Sequence, residues 1–378
     1  MRTMPPMEGP VDEQELKHTP LEAEHESLGA KMAPFAGWRM PIEYEGALAE
    51  HRAVRERVGL FDLTHLGKVE VTGPGALGML QAVVTNDLAK ASVGEALYNL
   101  VLNEGGGVIE DLIVYRMDHE RYFVVPNAAN AHRVLQILEE TPTPDRLHLM
   151  YHQDWCFLAV QGPQAVHVME RLFPASSDLA FMQCADAEFK RRPVIVTRSG
   201  YTGEVGVELF TYQDIAQELW SALMEAMEPF GGMPCGLAAR DVLRLEMGYP
   251  LYGQDLFESV TALEAGLSWA VSFDKGAFRG RESLVRQRDE GLPSRLLGLR
   301  MQERRHIPRA HYPVFVGDQL VGEVTSGTFS PLLGTGVALA YLWPADLVSV
   351  GDTVEVDIRG RRGTAQVVRP PFVDRDPR

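Results

Sequence analysis

The chain has 378 residues, 45% hydrophobic and 23% charged, the make-up of a globular protein of two or three domains. Its net charge of −16 argues against nucleic acid, which needs a basic surface, and no window approaches the roughly eighteen apolar residues of a membrane-spanning helix. Three cysteines at long, irregular spacings (Cys156, Cys184 and Cys235) form neither a disulfide framework nor a zinc pair, which indicates a reducing cytoplasm.

The polar, acidic start, residues 1–17, reads as a disordered extension; it lacks the apolar core of a secretory signal. Thr19-Pro20-Leu21-Glu22 has the form of a capping box with proline at the first helical position, and predicts a helix start. A second helix runs from about Glu45 to Val58 and stops at Gly59, with the aromatic turn FAGWRMP between the two. An internal echo follows. KVEVTGPGALGML (Lys68 to Leu80) is a strand, a Gly-Pro corner and an apolar helix, and FLAVQGPQAVHVM (Phe157 to Met169) repeats that plan. Hairpin segments and another helix come after each: YNLVL, VIEDLIVYRM and RYFVV before AANAHRVLQILEE, then RRPVIVTRS and EVGVELF before DIAQELWSALMEAM. The pattern predicts an α+β fold of two ferredoxin-like, split β-α-β halves, at about 18–150 and 151–285. GLAARDVLRLEMG reads as a helix closed by glycine. From about Leu296 short strands separated by Gly, Pro and Asp predict an antiparallel barrel or jelly roll over 286–378.

Gly73-Pro74-Gly75-Ala76-Leu77-Gly78 matches GxGxxG formally, but hairpins follow it instead of a parallel return strand, so no nucleotide site is expected. The hairpin LYNLVLNEGGGVIEDLIVYRM (Leu97 to Met117) is more informative. Its glycines suit a turn needing positive φ, whereas Asp111 stands in the middle of an apolar strand, where a charge is costly unless paired or used. Alternation puts Ile109, Asp111, Ile113 and Tyr115 on one face and Glu110 on the other. The bland alternative is a carboxylate satisfied by backbone N–H groups or an arginine. Glu208 stands mid-strand in the second half, in what reads as the corresponding place. Carboxylates suit a heterocycle with adjacent N–H and amino donors. Arg240 and Arg244 lie one helical turn apart, so one can pair with a carboxylate and leave the other for a ligand. His148 and His152 have no third ligand nearby, and no metal is expected.

Together these segments resemble the aminomethyltransferase (T-protein) family of the glycine cleavage system, from about Thr19 to Phe372. The resemblance is carried by TPLEAEH, FAGWRMPIEY, GLFDLTHLGKVEVTGP, LNEGGGVIEDLIV, YFVVPNAAN, LAVQGP, SGYTGEVGVEL and CGLAARDVLRLEMGYPLYGQD. It implies three lobes around a cavity for tetrahydrofolate, a cosubstrate, with no metal or nucleotide cofactor. The family's catalytic aspartate matches Asp111, a choice over Glu110 that the pleat leaves open. Its pterin-binding glutamate and arginine match Glu208 and Arg240. Tyr98, Tyr115, Val125 and Tyr201 match pocket-lining positions, and Leu66 stands where methionine is frequent. Near the end, VDRDPR leaves the match of a further arginine open at Arg375.

The implied reaction moves the methylene of an aminomethyl group from the lipoyl arm of the carrier, H-protein, to tetrahydrofolate. Ammonia leaves, and 5,10-methylenetetrahydrofolate and dihydrolipoyl H-protein result. Asp111 would act by charge and position or relay a proton. From Gly276 to Arg378, 15 Lys/Arg face 12 Asp/Glu, a balance of +3, which leaves −19 for the remainder. The arginines of QERRHIPRAHYP and DIRGRRG are therefore candidates for docking an acidic carrier. Two alternatives share the scaffold: a tetrahydrofolate-dependent demethylase and a non-catalytic folate-binding assembly factor. The second carries a KGCYxGQE signature where this chain reads FRGRESL.

Overall fold

The structure, a computed structural model, describes residues 16–378. Most of the expected N-terminal extension lies outside the described residues. Its last two members do not fit that expectation: Leu16 is buried, and Lys17 starts strand β1 (Lys17–His18). Helix α1 (Glu22–Ser27) starts where the TPLE pattern places it, but no capping box forms. Thr19 Oγ1 accepts from Leu21 N (3.3 Å) and donates to the buried carboxylate of Asp62, while Glu22, the other half of a capping box, pairs outward with His18 and Arg39. The hydroxyl thus serves both groups, its proton on the buried carboxylate and its lone pair on the helix N–H. Asp62 also accepts from Thr64 N (2.8 Å) and lies 2.9 Å from His25 Nε2. Burial pushes this carboxyl up, and the bonds from His25, Thr19 and Thr64 more than offset it, so it stays below its ordinary range. β2 (Lys31–Phe35) and β3 (Trp38–Glu43) form a hairpin with β1 on its edge, and α2 (Ala47–Glu56) leads straight into β4 (Gly59–Asp62).

The first half is β5 (Val69–Thr72), α3 (Ala76–Val83), β6 (Glu95–Leu102), β7 (Val108–Asp118), β8 (Arg121–Pro126), α4 (Ala131–Glu140) and β9 (His148–Tyr151). The second is β10 (Trp155–Gln161), α5 (Ala165–Leu172), β11 (Cys184–Phe189), β12 (Arg192–Thr197), β13 (Gly206–Tyr212) and α6 (Ala216–Met227), followed by β14 (Met233–Pro234). Among the described residues these strands form sheets ordered β6-β7-β8-β5-β9 and β11-β12-β13-β10-β4-β14. Both run second, third, fourth, first, so the duplication holds at the level of topology. In each half the first strand lies antiparallel to the fourth, and no strand–helix unit returns to a parallel neighbour at the GxGxxG match. Gly73 (φ +111°) and Gly162 (φ +131°) take the corresponding strand-to-helix corners, where a Cβ would meet Arg146 O at 2.8 Å and Arg57 O at 2.6 Å. That close approach, and not phosphate binding, accounts for them. β10 lies between β13 and β4 and is buried at every position, as a near-continuous apolar run requires.

Helices α7 (Leu237–Glu246) and α8 (Arg281–Glu290) precede β15 (Arg295–Met301), β16 (Pro313–Val316), β17 (Gln319–Ser330), β18 (Thr335–Leu342), β19 (Thr353–Ile358) and β20 (Arg361–Val368). These six strands close into a barrel around Leu299, Val314, Val324, Ala340, Val356 and Val367. The chain groups into two compact units. The larger holds 16–99, Asp111–Asp241 and Asp376–Arg378, and the other holds Leu100–Glu110 and Val242–Arg375. The barrel's unit is thus wider than the 286–378 lobe read from composition, because buried polar bonds tie residues 244–255 to the barrel strands. Arg244 reaches Asp255 Oδ2 (2.8 Å) and Ser326 Oγ (2.9 Å), while Thr325 Oγ1 and Leu251 N also donate to the Asp255 carboxylate. In the same unit the NEGGG turn departs from its sequence reading, since only Gly106 of its glycines has positive φ (81°). Gly107 is needed for space instead: a Cβ there would lie 1.9 Å from Glu258 O.

Asp255→Ala leaves Arg244, 1% exposed, as an uncompensated buried charge. The expected loss is about 3–5 kcal/mol, read as a lower urea midpoint; a loss below about 1 kcal/mol, the scale of a surface pair, would contradict the role given to this network.

Candidate functional site

Asp111 sits on β7 with Ile113 and Tyr115 on its face; Asp111 and Ile113 are half-buried and Tyr115 is buried. Its carboxylate accepts from Tyr98 Oη on β6 (Oδ2, 2.9 Å) and from Asn127 Nδ2 (Oδ1, 3.1 Å). Asn127 follows β8, where Val125 lies opposite Ile113 and continues the same row. A phenol and an amide, placed by the strands on either side of β7, are thus among the partners of Asp111. Glu110 lies on the other face of the strand and is wholly buried.

Glu208, on β13, forms a second polar cluster. Ser199 Oγ donates to Glu208 Oε2 at 2.5 Å and lies 2.7 Å from Thr197 Oγ1, and Tyr115 Oη is 3.1 Å from Ser199 Oγ and 3.4 Å from the same Oε2. Among the described residues Oε1 accepts no hydrogen bond, so Glu208 keeps acceptor capacity. Burial raises the Glu208 carboxyl above its ordinary range, although Ser199, the Arg240 charge and Tyr115 pull it down. Burial and the nearby Glu208 together push the Tyr115 phenol well above its ordinary value.

Glu208 is not the counterpart of Asp111, as strand count and register both show. Asp111 is on the third strand of its half and Glu208 on the fourth. Glu208 faces Ala159, three residues before Gly162, and the matching residue before Gly73 is Glu70, which faces Phe123. Phe123 is therefore the first-half equivalent. The sequence reading passed over β11, whose CADAEF is exposed at alternate positions, and so counted the second half one strand short. The halves meet through aromatics at this place: Phe210 stacks on Phe157 (4.0 Å) and meets Phe123 edge-on (5.0 Å).

Tyr201 is presented by the loop between β12 and β13. Arg55 donates to Thr202 O (2.7 Å) and Glu204 Oε1 (2.9 Å), Gln161 Nε2 donates to Ser199 O (3.2 Å), and Thr202 Oγ1 donates to Gln161 Oε1 (2.8 Å). The Arg240 guanidinium lies 4.6 Å from the centre of the Tyr201 ring, a cation–π geometry. Glu50, wholly buried, fixes the approach to α7 by accepting from Gly236 N (2.7 Å) and also from Tyr44 N (2.6 Å). Arg244, one turn further along α7, pairs with the buried Asp255 carboxylate.

Leu66 is half-buried on the turn between β4 and β5, and Gly67 N beside it donates to Pro126 O (2.8 Å), next to Asn127. The structure therefore groups Asp111 with Tyr98 and Val125, Glu208 with Tyr115, and Arg240 with Tyr201, and it ties the turn bearing Leu66 to the first group. Sequence reasoning missed Asn127, Ser199 and His65. Asn127 had a signal, an amide directly after the strand that pairs with the Asp111 strand; Ser199 had only its place in SGYTGE. His65 is buried, edge-on to Phe35 (5.3 Å), and its Nδ1 has no hydrogen-bond partner. Burial, the Arg240 charge and Lys68 push this imidazole down to about 3, with Asp62 opposing. Glu208 can take N–H donors of a planar heterocycle, with Arg240 and Tyr201 as cation and ring face. Asp111 lies four residues along the strand from Tyr115, roughly 13 Å away at ordinary strand rise. Among the described residues no group of three or more His, Cys, Asp or Glu could hold a metal ion.

The GCVT N-terminal domain family matches residues 21–275, and the glycine cleavage T-protein C-terminal barrel domain matches 295–374. The aminomethyltransferase of Parafrankia sp. (strain EAN1pec) is 50% identical over 96% of this chain and 100% of its own. That of Mycobacterium tuberculosis (strain ATCC 25618 / H37Rv) is 45% identical over 96% and 98%. The crystal structure of glycine cleavage system aminomethyltransferase T from Bartonella henselae superposes with a TM-score of 0.89 at 35% identity, covering 96% of this chain and 99% of that one.

The His65 environment has a pH consequence. Between its ordinary 6.5 and about 3 the unfolded chain binds a proton that the folded protein refuses. Stability from this group is therefore full above 6.5 and falls as pH drops, by at most about 1.4 kcal/mol per pH unit. Urea midpoints measured from pH 7 to 4 should decline less steeply in His65→Phe than in the parent; parallel declines would contradict a neutral buried imidazole.

Proposed function

The chain belongs to the glycine cleavage T-protein family, and from that premise we propose how its residues divide the work of a tetrahydrofolate-dependent aminomethyltransferase. The reaction passes a methylene from an aminomethyl-loaded lipoyl arm to tetrahydrofolate and frees ammonia. The donor set fits a pterin: Glu208 has an oxygen to spare for adjacent N–H groups, and Arg240 on the Tyr201 ring offers a cation and an aromatic face. In this reading Ser199 and Tyr115 hold Glu208 in place, Val125 and Leu66 supply apolar wall, and Tyr98 with Asn127 orient Asp111. The observation that carries the reading is Asp111 itself, a carboxylate in an apolar strand whose two oxygens accept from Tyr98 and Asn127 and are held in a fixed orientation by them. Tetrahydrofolate supplies the two amines that receive the methylene. Asp111 then serves as the fixed anion, or proton acceptor, where positive charge develops during transfer.

The loaded partner is read as lipoylated H-protein. We place its docking on the barrel's arginines, of which Arg362 lies 4.0 Å over the Phe315 ring and bonds Glu355 (3.2 Å), and Arg309 donates to Gly327 O (3.2 Å). These bonds hold the side chains in position on a part of the chain that carries net positive charge, opposite in sign to an acidic carrier.

Asp111→Asn should bind tetrahydrofolate with unchanged affinity and lose turnover on the order of 100-fold or more. Near-parental ammonia release in that variant would remove Asp111 from the mechanism. Docking through the arginines predicts that kcat/KM with loaded carrier falls steeply as salt is raised, while kcat/KM with a small aminomethyl dithiol does not. Equal salt responses would exclude an electrostatic carrier site.

A further inference from the structure

The segment from Asp62 to Lys68 satisfies its polar groups with care. Asp62 takes Thr64 N, Phe157 N donates to Thr64 Oγ1 (3.2 Å), Lys68 Nζ donates to Thr64 O (2.8 Å), and Gly67 N donates to Pro126 O (2.8 Å). His65 is the exception. It is 5% exposed, and neither ring nitrogen makes a hydrogen bond to any of the described residues. Nδ1 is sealed off without a partner; Nε2 is not sealed, so the ring's small remaining surface includes a polar atom. Buried polar side chains are normally paired, and one that is not calls for a reason.

Three features tie this residue to the site. Leu66, its neighbour, matches a folate-pocket position. Gly67 fixes the turn to Pro126, one residue before the amide that holds Asp111. The Arg240 charge acts on both His65 and Glu208, so both are within its electrostatic reach. We propose that His65 is a ligand-contacting residue whose Nε2 makes a hydrogen bond to a polar edge of the bound pterin, beside Arg240. This rests on the tetrahydrofolate reading above. Held neutral between Arg240 and Lys68, the imidazole keeps one N–H and one lone pair and adds no third cation to the site.

The test separates a ligand contact from a packing role. His65→Phe keeps ring volume and removes both nitrogens, and His65→Gln keeps a side-chain N–H. The expected result is a Kd for tetrahydrofolate, measured by calorimetry on the full chain, about tenfold weaker in His65→Phe, the scale of one lost hydrogen bond. Its thermal midpoint at pH 7.5 should be unchanged or higher, since an unpaired buried polar atom has been removed. His65→Gln should bind more tightly than His65→Phe. Parental affinity in His65→Phe, or weakened binding in both variants that tracks a fall in thermal midpoint, would overturn the proposal. Should His65→Phe fail to fold, His65→Leu, which also lacks both nitrogens, takes its place, with the same loss expected and parental affinity again overturning the proposal. If the parent chain itself neither binds tetrahydrofolate nor releases ammonia, the fault lies with the reading of the site and not with His65.

Discussion

A phenol from one half of the duplicated region reaches a carboxylate in the other. Tyr115 Oη meets Ser199 Oγ and the Glu208 carboxylate, and the cluster is buried. Glu208 can lie there only because hydroxyl groups pair with it; alone it would carry the desolvation cost of a charge or a proton. Around it Phe123, Phe157 and Phe210 close the junction. If the halves separate, Glu208 loses the phenol and Asp111 loses its fixed bearing on the proposed pterin site, because Asp111 and Tyr115 share a strand. The binding end and the reacting end of the proposed site are thus held by one β-strand.

That arrangement gives the two carboxylates different surroundings. Glu208 is buried among hydroxyls and Arg240, where burial favours its neutral form and N–H donors of a ligand would favour its charged form. Asp111 is half-buried, steered by a phenol and an amide. A duplication supplied the scaffold twice, but not the chemistry twice: the register equivalent of Glu208 is Phe123, which packs. The two polar clusters arose at different strands of the repeat, and the aromatic residues occupy the places that symmetry would have given to a second acid.

Local patterns carried much of the fold. Strand alternation, Gly-Pro corners and short barrel strands are sequence-local signals, and the corners at Gly73 and Gly162 and the closed barrel follow them. Asp111 was legible because a charge in an apolar strand violates a local rule. What was not legible is non-local. Nothing near Thr19 shows that its hydroxyl, besides accepting from Leu21 N, donates to Asp62, far along the chain. Gly107 looked like a turn glycine because the Glu258 carbonyl that crowds it is distant in sequence. β11 escaped because a half-exposed CADAEF lacks the apolar alternation of its neighbours, and its omission produced the false pairing of Asp111 with Glu208. Ser199 and His65 have ordinary local contexts; only burial and the presence or absence of partners distinguish them.

The central claim, that the halves build one binding site through the Tyr115–Ser199–Glu208 cluster, is tested most directly by a double-mutant cycle on tetrahydrofolate affinity. Kd values would be measured for the parent, Tyr115→Phe, Glu208→Gln and the double variant. Residues in one hydrogen-bonded network couple by about 0.5–3 kcal/mol, so the losses should be clearly non-additive. Strict additivity, or single variants that bind as the parent does, would contradict the account.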